Sequence, residues 1–306
     1  MKWLLKILKV LFWLGLTGGL LGAVAVAVAY YYIEPDLPDI DNLRDVRLQV
    51  PLKVFSRDGD LIAEFGEQRR NPLRFEDVPK TMVQAFLAAE DDNFFGHPGV
   101  DYRGLLRAGI QLALTGEKKQ GGSTITMQVA RNFYLTRQKT YTRKIAEIFL
   151  ALRIERELSK GEILQLYLNK IYLGHRAYGV GAAAQVYYGK TVDQLDLAQT
   201  AMIAGLPKAP SSYNPIANPP RAIERRNYVL GRMLELGFID KAAYEQASTQ
   251  PVTASRYAPA IELDAPYIAE MVRTEMVERF GEEAYTGGYR VTTTVGAERQ
   301  QAATQA

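Results

Sequence analysis

An uncharged apolar segment near the N-terminus constrains this chain more than any other feature. The 24 residues from Val10 to Ile33 carry no charged side chain. A helix of about 20 apolar residues is long enough to cross the hydrocarbon core of a bilayer. We therefore expect one N-terminal transmembrane helix over residues 10–33.

The charges on either side of this segment predict its orientation. Lysines precede it (Lys2, Lys6 and Lys9), and acidic residues follow it (Glu34, Asp36, Asp39 and Asp41). The positive-inside rule then makes residues 1–9 a cytoplasmic tail and puts everything after Tyr32 outside the cytoplasm. A cleaved signal peptide is the alternative, because Ala27-Val28-Ala29 resembles a cleavage site. Its apolar region is usually only about 7–15 residues long, so the longer segment favours an uncleaved anchor.

Composition excludes several classes of site. The 306 residues include no cysteine, so a disulfide scaffold, a cysteine nucleophile and a thiolate zinc site are ruled out. The two histidines, His97 and His175, are too few for a multi-histidine metal site. An oxygen-ligated divalent cation remains compatible with the sequence. The net charge of +3 gives no indication of nucleic-acid binding.

The exported part reads as a mainly α domain preceded by a linker. Residues 34–52 are acidic and contain several prolines, as linkers often do. Asp58-Gly59 lies between two apolar runs within Lys53–Phe65 and predicts a β-hairpin. β-branched residues predict a strand over Tyr289–Val295. Helical patterning dominates from Glu76 to Gln250, and helices are expected after Asp77-Val78-Pro79 and over residues 103–114, 143–157, 161–172, 195–206, 220–236 and 265–280.

The first chemical motif is Glu90-Asp91-x-x-Phe94-x-x-His97-x-Gly99. Met82, Phe86 and Leu87 form an apolar stripe on the preceding helix, and helical geometry places Glu90 at the end of that stripe. Apolar surroundings disfavour an ionised carboxylate and raise its pKa, which suits a general acid or base. An ordinary solvated helix end explains the pattern equally well.

The second motif runs from Gly121 to Gln128 as GGSTITMQ. A glycine pair followed by hydroxyl residues suits a mobile loop that enters a capped helix, with amides free to bind an anion. The phosphate-loop Gly-Lys-Ser/Thr pattern is absent, which argues against a nucleoside triphosphate. A plain loop-to-helix junction is the simpler interpretation of this motif by itself.

The third motif is Arg143-Lys144-x-x-Glu147. Its spacings of three and four residues bring all three side chains to one helix face. Together with Arg131, Arg137 and Lys139, the cations could hold a pyrophosphate. A surface ion pair, worth a few tenths of a kcal/mol, is the alternative.

Taken together, the motifs resemble the peptidoglycan glycosyltransferases of family 51, the lysozyme-like domain of class A penicillin-binding proteins. The resemblance rests on five runs that occur in the family's order. They are EDDNFFGHPGVD (Glu90–Asp101), GGSTITMQVARN (Gly121–Asn132), RKIAE (Arg143–Glu147), ILQLYLNKIYLGHRAYGVGAAAQVYYGK (Ile163–Lys190) and MIAGLPKAPSSYNP (Met202–Pro215). The implied fold is a lysozyme-like bilobal domain over residues 53–250. Its small lobe, Arg103–Leu114, would dip into the bilayer.

The resemblance also implies a reaction and residue roles. Lipid II would be polymerised into β-1,4-linked glycan strands, with inversion and release of undecaprenyl pyrophosphate. Glu90 would be the catalytic base. Glu147 would organise the leaving pyrophosphate, directly or through Mg²⁺ or Mn²⁺. Cations would neutralise that group (Arg131, Lys139, Arg143 and Lys144), and other residues would shape the cleft (Asp91, Phe94, His97, Thr124, Gln128 and Asn132).

The remaining expectations concern context. No serine is followed by lysine three positions later, yet Gly287–Ala306 resembles the segment that leads into a transpeptidase domain. Residues 251–306 are therefore expected to be a linker and the start of a truncated transpeptidase region. The implied location is the bacterial inner membrane, with the catalytic domain in the periplasm. The expected partners are lipid II, the growing glycan strand, the membrane, a second copy of the chain and other cell-wall synthesis proteins.

Two other functions fit parts of the sequence. A lysozyme-like lytic enzyme would use Glu90 as a general acid, but it has no pyrophosphate for the cations to hold. A membrane-anchored scaffold for cell-wall machinery would need no chemistry at Glu90. Both account for fewer of the motifs than a glycan polymerase does.

Overall fold

The computed structural model describes residues 2–40, 43, 48–66, 68–104, 114, 122–135, 141–257 and 261–305, with the backbone alone for part of the first helix. The described chain is predominantly helical, as expected. In chain order the helices are α1 (Lys2–Ile33), α2 (Lys80–Glu90), α3 (Ile125–Tyr134), α4 (Tyr141–Glu157), α5 (Lys160–Lys170), α6 (Val180–Tyr188), α7 (Leu197–Gly205), α8 (Pro219–Glu235), α9 (Lys241–Thr249), α10 (Pro266–Phe280) and α11 (Ala297–Gln305).

Short strands form two small sheets. Strands β1 (Leu52–Phe55) and β2 (Leu61–Phe65) pair antiparallel, and Gly59 in their turn has φ +100°, so the predicted hairpin is confirmed. The strand predicted near the C-terminus is confirmed as β5 (Arg290–Thr292), which pairs parallel to β1. Strands β3 (Arg69–Arg70) and β4 (Ala177–Tyr178) form a parallel two-stranded sheet.

The main core is built where helices α2 to α9 pack together. The stripe predicted on α2 is confirmed, since Met82 and Phe86 are fully buried. Phe86 meets Tyr167 of α5 edge-on, with ring centroids 5.9 Å apart. This packing holds the C-terminal end of α2, and therefore Glu90, against the centre of the domain.

The hairpin belongs to a second, smaller core. Leu52, Val54 and Ile62 pack with Leu263 and Met276 from the C-terminal part of the chain. The sequence assigned the hairpin to a domain of residues 53–250 and residues 251–306 to a separate region. In the structure they share one core, because the apolar face of a two-stranded hairpin needs a covering element.

The predicted linker also contributes to the main core. Ile40 and Leu43 are only 4% and 2% exposed and lie within the main apolar cluster. Glu34–Asp36 forms a short 3₁₀ helix directly after α1. Two aliphatic side chains of residues 34–52 therefore pack as core residues, although the composition of this segment is acidic.

The predicted membrane span lies inside α1, whose Tyr30 ring packs edge-on against Phe149 of α4 at 5.1 Å. No helix in the described part of the chain combines the length and the hydropathy needed to cross a bilayer. The anchor thus stays a prediction. The helix expected over residues 103–114 lies mostly outside the described residues.

Candidate active site

Glu90 ends helix α2 in a nearly closed environment, with its side chain 13% exposed. Gln128 of α3 donates a hydrogen bond from Nε2 to Glu90 Oε2 at 2.9 Å. Arg225 of α8 places Nη2 3.6 Å from Glu90 Oε1. Each carboxylate oxygen is thus approached by a different helix.

These surroundings act on the proton affinity of Glu90 in opposite directions. Burial is the largest influence and raises the pKa of Glu90 above its ordinary value. The Gln128 hydrogen bond and the charges of Arg225, Arg131 and Lys208 lower the pKa, but by less. The expected direction is confirmed. A raised pKa moves the carboxylate toward the range in which a general base works at physiological pH.

Asp91 and His97 form a buried hydrogen-bonded pair in the segment that follows Glu90, called here the Asp91–His97 clamp. His97 Nε2 lies 3.0 and 3.1 Å from the two carboxylate oxygens of Asp91. The amide of Gly99 donates to His97 Nδ1 at 3.2 Å, so the network assigns the ring proton to Nε2. Both side chains therefore stabilise the turn that follows α2.

Asp91 of this clamp also binds the N-terminal end of α3. This contact corrects the expectation that the amides there are free to bind an anion. Asp91 Oδ2 accepts a hydrogen bond from the Ile125 amide at 2.9 Å. The Thr124 side chain caps the helix by accepting from the Met127 amide, and its hydroxyl donates to Gly99 O. The predicted cap is confirmed, but these two amides are not free to bind an anion, because the protein's own oxygens already hold them.

Phe94 lies deeper than a residue that lines a cleft. It is fully buried, and the Lys160 ammonium lies 4.3 Å from its ring centroid. Lys160 also donates to His97 O and to Glu155 Oε1, both at 2.7 Å. The structure therefore packs Phe94 beside His97 and Lys160 in the interior of the domain.

Glu147 lies within a cluster of two cations on helix α4, as its spacing predicted. Its side chain is 1% exposed, with Oε2 2.8 Å from Lys144 Nζ and Oε1 3.3 Å from Arg143 Nε. Lys144 Nζ also donates to Ser123 Oγ at 2.7 Å. Ser123 lies just before α3, so Lys144 connects that segment to α4.

The described residues around Glu147 do not by themselves supply a full set of oxygen ligands for a divalent metal ion. Mg²⁺ and Mn²⁺ prefer several oxygen ligands. No group of three or more acidic or histidine side chains is placed to hold a metal within the described residues. A cation bound to either Glu147 oxygen would also lie beside Lys144 or Arg143. We therefore derive no step through a protein-bound metal.

Two further predicted site residues, Arg131 and Asn132, lie on α3, and a third, Lys139, is not described. Arg131 is half-buried on α3 and acts on Glu90 through its charge. Asn132 is half-buried, and its Nδ2 is a buried donor without a hydrogen-bond partner among the described residues. Lys139 lies outside the described residues, as do Gly121 and Arg137.

Four residues near the two glutamates were not predicted from the sequence to have a role. Arg225 and Lys208 influence Glu90, and Ser123 binds Lys144. Tyr167 is fully buried, with a hydroxyl that has no partner among the described residues, and burial raises its pKa well above the ordinary value. A signal existed for Arg225, because it shares the buried face of α8 with Ala222 and Val229.

A family model described as Transglycosylase matches residues 58–234 of this chain. Penicillin-binding protein 1A of Pseudomonas aeruginosa is 57% identical over 301 residues, 98% of this chain and 37% of that protein. The Escherichia coli protein of the same name is 55% identical over 287 residues, 94% of this chain and 34% of that protein.

Among solved structures, the crystal structure of penicillin-binding protein 1A from Haemophilus influenzae is 38% identical, with a TM-score of 0.47. The match covers 85% of this chain and 29% of that chain. This chain spans about a third of the length of the relatives it matches.

Proposed function

The chain belongs to the transglycosylase family, and on that premise we propose that it is a peptidoglycan glycosyltransferase. It would polymerise lipid II into β-1,4-linked glycan strands with inversion and release of undecaprenyl pyrophosphate. The observation that carries the proposal is the setting of Glu90, a nearly buried carboxylate with a raised pKa beside Arg225 and Gln128.

The chemical step needs one base and one stabilised leaving group. Glu90 takes the proton of the acceptor 4-hydroxyl while that oxygen forms a bond to the donor anomeric carbon. The bond from that carbon to the pyrophosphate breaks, and its electron pair leaves with the pyrophosphate. Attack from the face opposite the leaving group inverts the anomeric configuration.

Cations are arranged to receive the charge that develops on the pyrophosphate. Lys144 and Arg143 are partly exposed around Glu147, and Arg131 lies on the neighbouring helix α3. Positive groups that are already in place stabilise such charge without reorganising during the reaction. Lys139 is proposed to join them on the basis of its position in the motif.

The context of the enzyme is part of the proposal. Residues 10–33 would anchor it in the bacterial inner membrane, with a lysozyme-like bilobal domain in the periplasm. An anchored enzyme suits a lipid-tethered substrate. We expect a second copy of the chain and other cell-wall synthesis proteins to be its partners.

Incubating the purified chain in detergent with lipid II and Mg²⁺ tests the proposal. We expect the wild type to make glycan polymer and Glu90→Gln to make none. Glu76→Gln, which removes an exposed carboxylate, should polymerise normally. A folded wild type that makes no polymer would refute the function, and shortened glycans from isolated sacculi would identify a lytic enzyme.

A further inference from the structure

A buried glutamate such as Glu147 could be a metal ligand, but its contacts with Lys144 and Arg143 indicate a positioning role. We propose that Glu147 is a positioning residue that holds the Lys144 ammonium and the Arg143 guanidinium toward a diphosphate, and that it binds no metal ion. The identity of the diphosphate rests on the proposed function. The statement about metal does not depend on it.

The exposed fractions of the three side chains indicate which of them a ligand contacts first. The Glu147 side chain is 1% exposed, whereas Lys144 is 38% and Arg143 19% exposed. A ligand that arrives from solvent therefore contacts the two cations first, and the carboxylate lies behind them. An anionic ligand suits that arrangement, while a metal ion would have to pass the cations to reach its ligand.

The charges at the cluster favour the same conclusion. One carboxylate lies within ion-pair distance of two cations, at 2.8 and 3.3 Å, so the cluster carries a net positive charge. A divalent cation bound there would be repelled by both neighbours. A diphosphate would be attracted by both.

The geometry of Lys144 shows how the positioning works. Its ammonium has three N–H donors. Two are used in contacts among the described residues, one to Glu147 Oε2 and one to Ser123 Oγ. These two bonds restrict the direction of the third donor, which has no partner among the described residues and which we assign to a ligand oxygen. Glu147 thus sets where the ammonium points without touching the ligand.

Titration of the purified full chain with Mn²⁺ alone, followed by electron paramagnetic resonance, tests the metal statement. We expect the signal of free Mn²⁺ to match that of buffer at equimolar protein. One Mn²⁺ bound per chain and lost in Glu147→Gln would overturn the proposal. Retention in that variant would assign the ion to another site and leave Glu147 without a ligand role.

A matched control shows whether an effect is specific to Glu147 or common to buried carboxylates that are paired with a lysine. Glu155 lies on the same helix and accepts from Lys160 and Thr126. Glu155→Gln should behave like the wild type in the Mn²⁺ titration. If Glu147→Gln does not fold, ¹³C-glutamate labelling of the wild type decides instead. Electron–nuclear coupling to bound Mn²⁺ from the Glu147 carboxylate, labelled at that residue alone, would then contradict the proposal.

Polymerisation kinetics test the positioning role. Glu147→Gln should lower kcat with lipid II by roughly 10²–10³-fold, because the cations lose their orientation. The Mg²⁺ concentration for half-maximal rate should stay within about twofold of wild type. A rise of about tenfold or more, as expected when a metal ligand is lost, would overturn the inference. A wild type without polymerase activity would refute the proposed function, while the Mn²⁺ titration would still decide the metal statement.

Discussion

At the residue scale, Glu90 depends on partners from distant parts of the chain. Arg225 reaches Oε1 and is itself held by a hydrogen bond from Nε to Gly205 O at 3.3 Å and by the Tyr228 ring at 4.6 Å. Gln128 reaches Oε2. Burial raises the pKa of Glu90 most, and side chains that do not belong to its own motif partly oppose that rise.

Replacing Arg225 should change the pH dependence of the reaction. Arg225 lowers the pKa of Glu90, so Arg225→Gln should raise that pKa and leave less base ionised. We expect the acidic limb of the kcat/KM profile to move to higher pH, with activity at pH 7 reduced. Arg221→Gln, on the exposed face of α8, should leave the profile unchanged. An unshifted limb in Arg225→Gln would show that the guanidinium does not act on the base.

Replacing Glu90 should stabilise the fold in a pH-dependent way. The folded state raises the pKa of Glu90, so the wild type is more stable below the unfolded pKa and loses stability as pH rises through the folded pKa. Glu90→Gln removes that loss. At pH 7 we expect Glu90→Gln to have a higher Tm than the wild type. Thermal melts should show that this gain disappears near pH 4. If Glu90→Gln and the wild type had the same Tm at pH 7 as well as near pH 4, the argument would be contradicted.

At the element scale, the turn after the Asp91–His97 clamp packs directly against α4. Gly99 has φ +93°, and a Cβ there would lie 2.8 Å from Ala151 O. Gly99→Ala therefore combines backbone strain with a backbone collision and should cost about 3 kcal/mol. Gly59→Ala is the matched control, since Gly59 has φ +100° and open space around it, and should cost about 1 kcal/mol. Chemical denaturation of both variants measures the difference, and equal costs would exclude the collision.

Helices with one apolar face were the easiest elements to predict from the sequence. Helices α2, α4 and α8 show a helical period because one side of each packs on the core. Helix α6 does not, because all of its residues except Gln185 are buried and no period remains. Helices α9 and α11 were also not predicted individually.

The same distinction holds at the candidate site. The pairing of Arg143 and Lys144 with Glu147 follows from spacing along one helix. The contact between Gln128 and Glu90 joins residues 38 positions apart, and Arg225 is farther still. Those contacts depend on how α2, α3 and α8 pack together, which local spacing does not encode.

At the scale of the whole molecule, the chain next to α1 helps to hold the domain together. Leu43 is 2% exposed in the main core although it lies in a segment that reads as a linker. Leu43→Ala should therefore cost about 3 kcal/mol, as for other buried leucines. Ile261→Ala, at a side chain that is 51% exposed, should cost less than about 0.5 kcal/mol. Equal midpoints in urea for the two variants would show that the segment is not part of the cooperative unit.

The burial of Ile40 has a consequence for where the reaction would take place. Only residues 34–39 separate the end of α1 from this side chain, and six residues span at most about 20 Å when extended. A domain tethered so closely has little slack. With the anchor proposed above, the height of the domain above the membrane surface would be a property of the folded chain, and a sugar carried on a lipid would reach Glu90 at a level that the protein itself determines.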